Sequence, residues 1–253
     1  MDAIYHEKQD GLLCAQHCLN NLLQDSYYTA VDLATIGREL DNMEKTCMAA
    51  AGFDTPEFQQ FINKPSENMD DSGMFSVQVL QKALEQFSLS LVNIESDEEC
   101  SREAKSHPER FLAFICNFEA HWLAVRKFGH QWFNLNSMLS APELISDLHL
   151  SMYLTQLSME GYTIFLVLGT LPDCEANQIL SLMRITQTSK PSLLPEYSQA
   201  SDAPPSNEDE DDELQTAIAL SLTATIAESQ STETATQPQT VEFIREQRLK
   251  RFE

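Results

Sequence analysis

Gln9-Asp10-Gly11-Leu12-Leu13-Cys14-Ala15-Gln16-His17-Cys18-Leu19-Asn20-Asn21-Leu22-Leu23 decides how the rest of the chain is read. Gly11 frees the backbone just before the thiol, and Ala15, Leu19, Leu22 and Leu23 fall on one helical face. Cys14 therefore stands at the entrance of an amphipathic helix. A cysteine there feels the positive end of the helix dipole and amide N–H groups that lack intrahelical partners. Both favour the thiolate, the form that attacks a carbonyl carbon. Gln9, five residues upstream, has a side-chain amide that can fold back beside the sulfur and donate to a developing oxyanion. The plainer reading is a small apolar cysteine closing a buried helix.

A nucleophile needs a base and an orienter. His121 opens the apolar, partly alternating stretch His121-Trp122-Leu123-Ala124-Val125, which reads as a strand. Gln131-Trp132-Phe133-Asn134-Leu135-Asn136 reads as a second strand after a turn at Gly129 and His130. Such a hairpin can hold an imidazole beside an amide whose oxygen fixes the ring tautomer. Asn134 and Asn136 share strand parity, so periodicity does not separate them as orienter. A helical cysteine followed by histidine and asparagine on strands is the chain order of papain-like thiol hydrolases.

The run His6 to Leu23, the block Asn68-Met69-Asp70-Asp71-Ser72-Gly73, the pair His121-Trp122 and the run Trp132 to Ser137 together resemble the Josephin family of deubiquitinases. The resemblance covers residues 1 to about 185 without large gaps. It implies an α+β, papain-like cysteine protease fold and a cysteine-type deubiquitinase that hydrolyses isopeptide bonds of ubiquitin chains. It assigns Cys14 as nucleophile, His121 as base, Asn136 as orienter and Gln9 as oxyanion donor. It also points to Val77, Gln78 and Phe87 as one ubiquitin-contacting surface, and to Tyr27 and Tyr28 as part of a second. Phe87 departs from the tryptophan common among family members. The alternative is a ubiquitin-binding adaptor whose catalytic centre is idle. A redox or metal protein is a third reading, but no Cys-x-x-Cys occurs, and His6, His17 and Cys18 around Cys14 match no standard zinc spacing. No metal and no cofactor are expected.

The 253 residues suffice for one good-sized core with extensions, and the formal charge is −23. Such acidity argues against nucleic acid or anionic membrane as a partner held by bulk electrostatics. No signal pattern or run of membrane-spanning length is visible. The six cysteines form no dense disulfide framework, which fits a reduced setting in cytoplasm and nucleus.

The pattern predicts a largely helical excursion over residues 29–63, which the resemblance makes an arm over the active-site cleft. It predicts a helix from Ser76 to Phe87, strands near 89–94, 111–117, 121–128, 132–136 and 162–168, and helices from Pro142 to Met159 and from Pro172 to about Thr186. The catalytic domain is then 1–186. Proline, serine and acidic residues make 187–207 a linker that buries too little apolar surface to fold alone.

Within 208–228, the acidic run Glu208 to Glu213 precedes Leu214, Ala217, Ile218 and Ser221, spaced i, i+3, i+4 and i+7. Alanine in that stripe admits a close partner, and the segment resembles a ubiquitin-interacting motif. Residues 229–240 are polar and read as disordered. The basic cluster in 241–253, with Arg245, Arg248 and Arg251, reads as a short helix. By family resemblance it docks on the valosin-containing AAA ATPase; a nuclear-import signal is the other functional reading.

Overall fold

The computed structural model describes residues 2–50, 52, 56–70, 72–119 and 121–195. The expected ubiquitin-binding helix with Leu214, Ala217, Ile218 and Ser221, and the basic helix with Arg245, Arg248 and Arg251, lie outside the described residues.

Helix α1 spans Cys14–Leu23, and α2 spans Ala30–Ala49 behind a capping box in which Thr29 and Asp32 satisfy each other's backbone amides. Helices α3 (Pro56–Asn63) and α4 (Val77–Glu85) follow, the second started by the Ser76 hydroxyl. Strand β1 is Ser90–Asn93, α5 is Glu99–Ser106, and β2 (Ala113–Phe118), β3 (His121–Phe128) and β4 (Gln131–Asn134) form a meander. Strand β5 (Glu143–Ile145), α6 (Asp147–Met159), β6 (Thr163–Leu168) and α7 (Glu175–Leu182) complete the domain.

The strands make one antiparallel sheet in the order β1-β6-β2-β3-β4-β5. Side-chain alternation splits the interior into two cores, one on each face. Ile115, Trp122, Ala124 and Phe133 meet α1, α4 and α7 on the first; Phe114, Leu123, Val125 and Trp132 meet α5 and α6 on the second. The architecture is α+β, as expected. On the first face, buried Arg126 donates to the carbonyls of Leu22 and Pro172, anchoring the C-terminal end of α1, where a cation is favoured.

Helix α2 buries only Leu33, Ile36 and Gly37, so its second half stands out from the domain. Asn68 bridges to Asp41 at 2.9 Å and to Glu44 at 3.2 Å, joining the arm to the loop that leads into α4. Several boundaries differ from the sequence expectation, among them the start of α7, at Glu175 rather than Pro172. The helix expected from Pro142 starts at Asp147, because residues 143–145 pair with β4 and Ser146 caps the helix after them. The helix expected to Thr186 stops at Leu182, where Met183 turns extended and Ile185 exchanges two hydrogen bonds with the Gln131 amide. Asn136 lies beyond β4 rather than within it. Backbone pairing also carries the folded domain past the expected boundary at 186: Leu194 donates to Met138 at 2.8 Å and Ser140 donates to Ser192 at 2.9 Å.

Candidate active site

Cys14 is the first residue of α1 and only 1 % exposed. The backbone amides of Trp122, Ala15 and Cys14 itself face its sulfur. Burial pushes the thiol up, and those amides oppose the shift without reversing it. The helix terminus alone therefore does not give the depressed thiol anticipated from the sequence. The contact with the Trp122 amide brings α1 to the start of β3, the strand that opens with His121.

His121 Nε2 lies 2.9 Å from Asn136 Oδ1. That oxygen also accepts the Met138 amide at 3.0 Å, which fixes the orientation of the carboxamide. An amide oxygen only accepts, so Nε2 carries the proton and Nδ1 keeps the lone pair of the neutral ring. Burial holds His121 below the ordinary histidine value, and the Asn136 bond opposes this only in part. Cysteine and imidazole are thus both biased toward their neutral forms.

The two asparagines left open by periodicity have different places. Asn136 meets the imidazole; Asn134 accepts the Asn136 backbone amide at 3.0 Å and donates to Glu143 at 3.1 Å. Gln9 is fixed from both ends: its backbone amide donates to Ser137 O at 2.8 Å, and its Oε1 accepts the Ser137 hydroxyl at 3.0 Å. Its Nε2 gives one proton to Gly11 O at 3.0 Å, and an amide nitrogen carries a second. Gln9, Cys14, His121 and Asn136 are therefore linked through the loop at 136–137 and the start of β3.

Several supports escaped the sequence reading. His6 donates from Nε2 to the Asn136 carbonyl at 3.0 Å. Asn21 donates to Leu135 O at 3.1 Å and accepts the Glu7 amide at 2.6 Å. Glu7 binds His17 at 2.6 Å and also receives Tyr5 and Asn20. Burial raises the Glu7 carboxyl, but the hydrogen bonds from His17, Tyr5 and Asn20 outweigh it and hold the group below the ordinary range. This lattice bolts residues 5–10 onto α1 and the loop after β4. The bonds from His6 and Asn21 to residues 135–136 span more than a hundred residues, so no local spacing announces them.

The Trp122 indole is buried and donates to Phe75 O at 3.1 Å. Beside it lies a cleft of about 340 Å³, walled by Met69, Asp70, Phe75 and Trp122 among others. Val77 is half-buried and Gln78 exposed, and with Leu40, Leu91 and Phe165 they line an adjoining groove of about 510 Å³ that shares Val77 and Phe165 with the cleft. Tyr27 is exposed and meets Phe87 edge-on at 4.9 Å. Tyr28 departs from the expected surface role: it is 5 % exposed, and its hydroxyl is committed to Ala83 O at 2.7 Å. Cys18 is fully buried, and burial raises its thiol well above the ordinary value. No three metal-ligating side chains come together among the described residues.

A helix-borne cysteine that meets the first residues of a strand opening on an asparagine-oriented imidazole is the order of parts found in thiol hydrolases. The Josephin family model matches residues 9–168, and the chain belongs to that family. It is 50 % identical to Ataxin-3 of Homo sapiens over 196 residues, covering 78 % of this chain and 54 % of that one. Ataxin-3 of Gallus gallus is 49 % identical over 201 residues, with 79 % and 55 % covered. The Ataxin-3-like protein of Homo sapiens is 47 % identical over 193 residues, with 76 % and 54 % covered. The chain thus spans about half the length of these curated relatives.

Proposed function

We propose that the protein is a cysteine deubiquitinase that hydrolyses isopeptide bonds in ubiquitin chains. The observation that carries this reading is the hydrogen bond between His121 Nε2 and Asn136 Oδ1, which leaves Nδ1 as the basic atom on the β3 end that meets Cys14. In the proposed cycle Nδ1 takes the Cys14 proton as sulfur attacks the isopeptide carbonyl. The second Nε2 proton of Gln9 and the Cys14 amide stabilise the oxyanion. The imidazolium then protonates the departing lysine amine, and water hydrolyses the thioester. With both groups neutral at rest, the proton moves as the bond forms, and substrate burial of the site completes the geometry.

The neutral resting pair also lends support to a second reading, a ubiquitin-binding adaptor with little turnover. A ubiquitin derivative bearing a C-terminal electrophile tests both. Mass mapping of an adduct on Cys14, with multiple turnover of a ubiquitin chain, supports the enzyme; no adduct at Cys14 removes it.

Val77, Gln78, Phe87 and Tyr27 are the proposed ubiquitin contacts of the folded domain. Leu214, Ala217, Ile218 and Ser221 are proposed to hold ubiquitin from the tail, raising local substrate concentration into the ~mM range of a flexible tether. Ser221→Glu should then slow processing of long chains and leave a monoubiquitin substrate nearly unchanged. The valosin-containing AAA ATPase is the proposed partner of Arg245, Arg248 and Arg251, and cytoplasm and nucleus are the proposed setting.

A further inference from the structure

Helix α6 is apolar on two opposite faces. Leu150, Leu154 and Leu157 enter the second core. On the other side Leu148 is 84 % exposed, Met152 63 % and Met159 85 %. At about 100° per residue these three fall within roughly 40° of one another, and exposed Ser151 and Thr155 flank the same line. Single exposed apolar side chains are ordinary, whereas an aligned set on a helix already anchored by its other face marks a contact surface. A groove of about 820 Å³ runs beside the stripe, walled by Met152, Tyr153 and Met159 with Glu143 and Lys190. Two of the three apolar residues are methionines, which adapt to a partner's contour.

We propose that the outer face of α6 is a docking surface for ubiquitin, received through an apolar patch rimmed by basic residues. This rests on the function proposed above. Two observations select that occupant. Leu148, Ser151, Met152 and Thr155 repeat the tail stripe Leu214, Ala217, Ile218 and Ser221: large apolar, small, large apolar, small hydroxyl at i, i+3, i+4 and i+7, with an acid immediately before each leucine, Asp147 and Glu213. The acidic groups Glu143, Asp147 and Glu160 outnumber the cationic Lys190 around the α6 stripe, with His149 the remaining titratable neighbour, so a basic rim is complementary. A second copy of the chain fits less well, because a formal charge of −23 sets like surfaces against each other.

The test uses the full chain carrying Cys14→Ala and methyl-labelled methionine, titrated with unlabelled ubiquitin. The Met152 and Met159 methyl signals should shift to saturation, and should still do so with Ser221→Glu added. Met152→Glu should weaken binding at this face about tenfold, since it places an unpaired charge in an apolar contact. Leu148→Asp should do the same, and neither exposed change should alter the melting temperature. Methyl signals that stay still under excess ubiquitin overturn the proposal; if wild-type Cys14 still takes the ubiquitin electrophile, the deubiquitinase reading stands without it. Absence of that adduct would instead remove the deubiquitinase reading. Two further results name another occupant and equally overturn the proposal: self-association in sedimentation that Met152→Glu abolishes, or Met152 shifts produced without ubiquitin by deleting residues 196–253.

Discussion

Cys14, His121 and Asn136 each meet one decisive neighbour, and substitutions should separate their roles. Cys14→Ala is expected to abolish adduct formation with the ubiquitin electrophile, while Cys18→Ala, a change in the core, retains most of it. His121→Ala should cost on the order of 10²–10⁴-fold in kcat/KM, the usual worth of a positioned base. Asn136→Ala should cost less, since the base survives without its orienter, and Asn134→Ala less again, since it meets the Asn136 backbone and Glu143 rather than the imidazole. Equal losses at Asn134 and Asn136 would contradict the assignment. Acid should loosen the same region. His6 and His121 are held below their ordinary value of 6.5 by burial, so the unfolded chain takes up protons before the folded one. The stability these rings contribute is complete above about pH 6.5 and is lost as pH falls through their folded values. Glu7, depressed from 4.5, continues the loss at lower pH. Melting temperature should therefore hold steady above neutrality and decline below about pH 6.5, with a gentler slope for His6→Gln. A melting temperature unchanged between pH 7 and 5 would refute this account.

The β3–β4 hairpin carries the imidazole and leads into the Asn136 loop, and its turn rests on α7. Gly129 has φ +54°, and its amide donates to Asn177 Oδ1 at 2.9 Å. A Cβ there would come within 2.1 Å of Leu180 O, so backbone rather than a yielding side chain stands in the way. Gly129→Ala should destabilise the domain by about 1 kcal/mol or more, read as a lower denaturation midpoint, and should reduce turnover as the hairpin lifts. Loss of turnover with an unchanged midpoint would show that the turn acts otherwise. Elements with a strong local pattern are legible in advance: the α1 stripe, the start of α4 near Ser76 and the partial alternation of β3 all stand where the sequence puts them. Residues 143–145 read as helix because Leu144 and Ile145 suit either period; only the partner strand β4 decides between them. Helix α5 went unread because it buries just Ser101 and Ala104, too little for a stripe. Of the site, the residue types and their order were visible. The supports from His6, Asn21 and Ser137 were not, because they join segments that meet only after folding.

For the molecule as a whole, the functional boundary belongs after the pairing of Leu193 with Leu139. A chain ending at residue 195 should melt cooperatively and still cleave a small ubiquitin derivative, because every candidate catalytic residue lies upstream. One ending at 186 frees the loop at 138–140 and loses the Gln187 side chain, which accepts the Leu144 amide at 2.7 Å. It should melt lower and turn over more slowly, and equal behaviour of the two would show that the strap contributes nothing. The two faces of the sheet also differ optically. The chain has two tryptophans, and each core holds one. The Trp122 backbone amide meets the candidate nucleophile and its indole donates to Phe75 O, whereas the buried Trp132 indole N–H has no hydrogen-bond partner among the described residues. Replacing Trp132 with phenylalanine leaves a single tryptophan beside the cleft, so its emission colour and quenching, excited selectively over the six tyrosines, would follow the arrival of a ubiquitin terminus in real time without any attached dye.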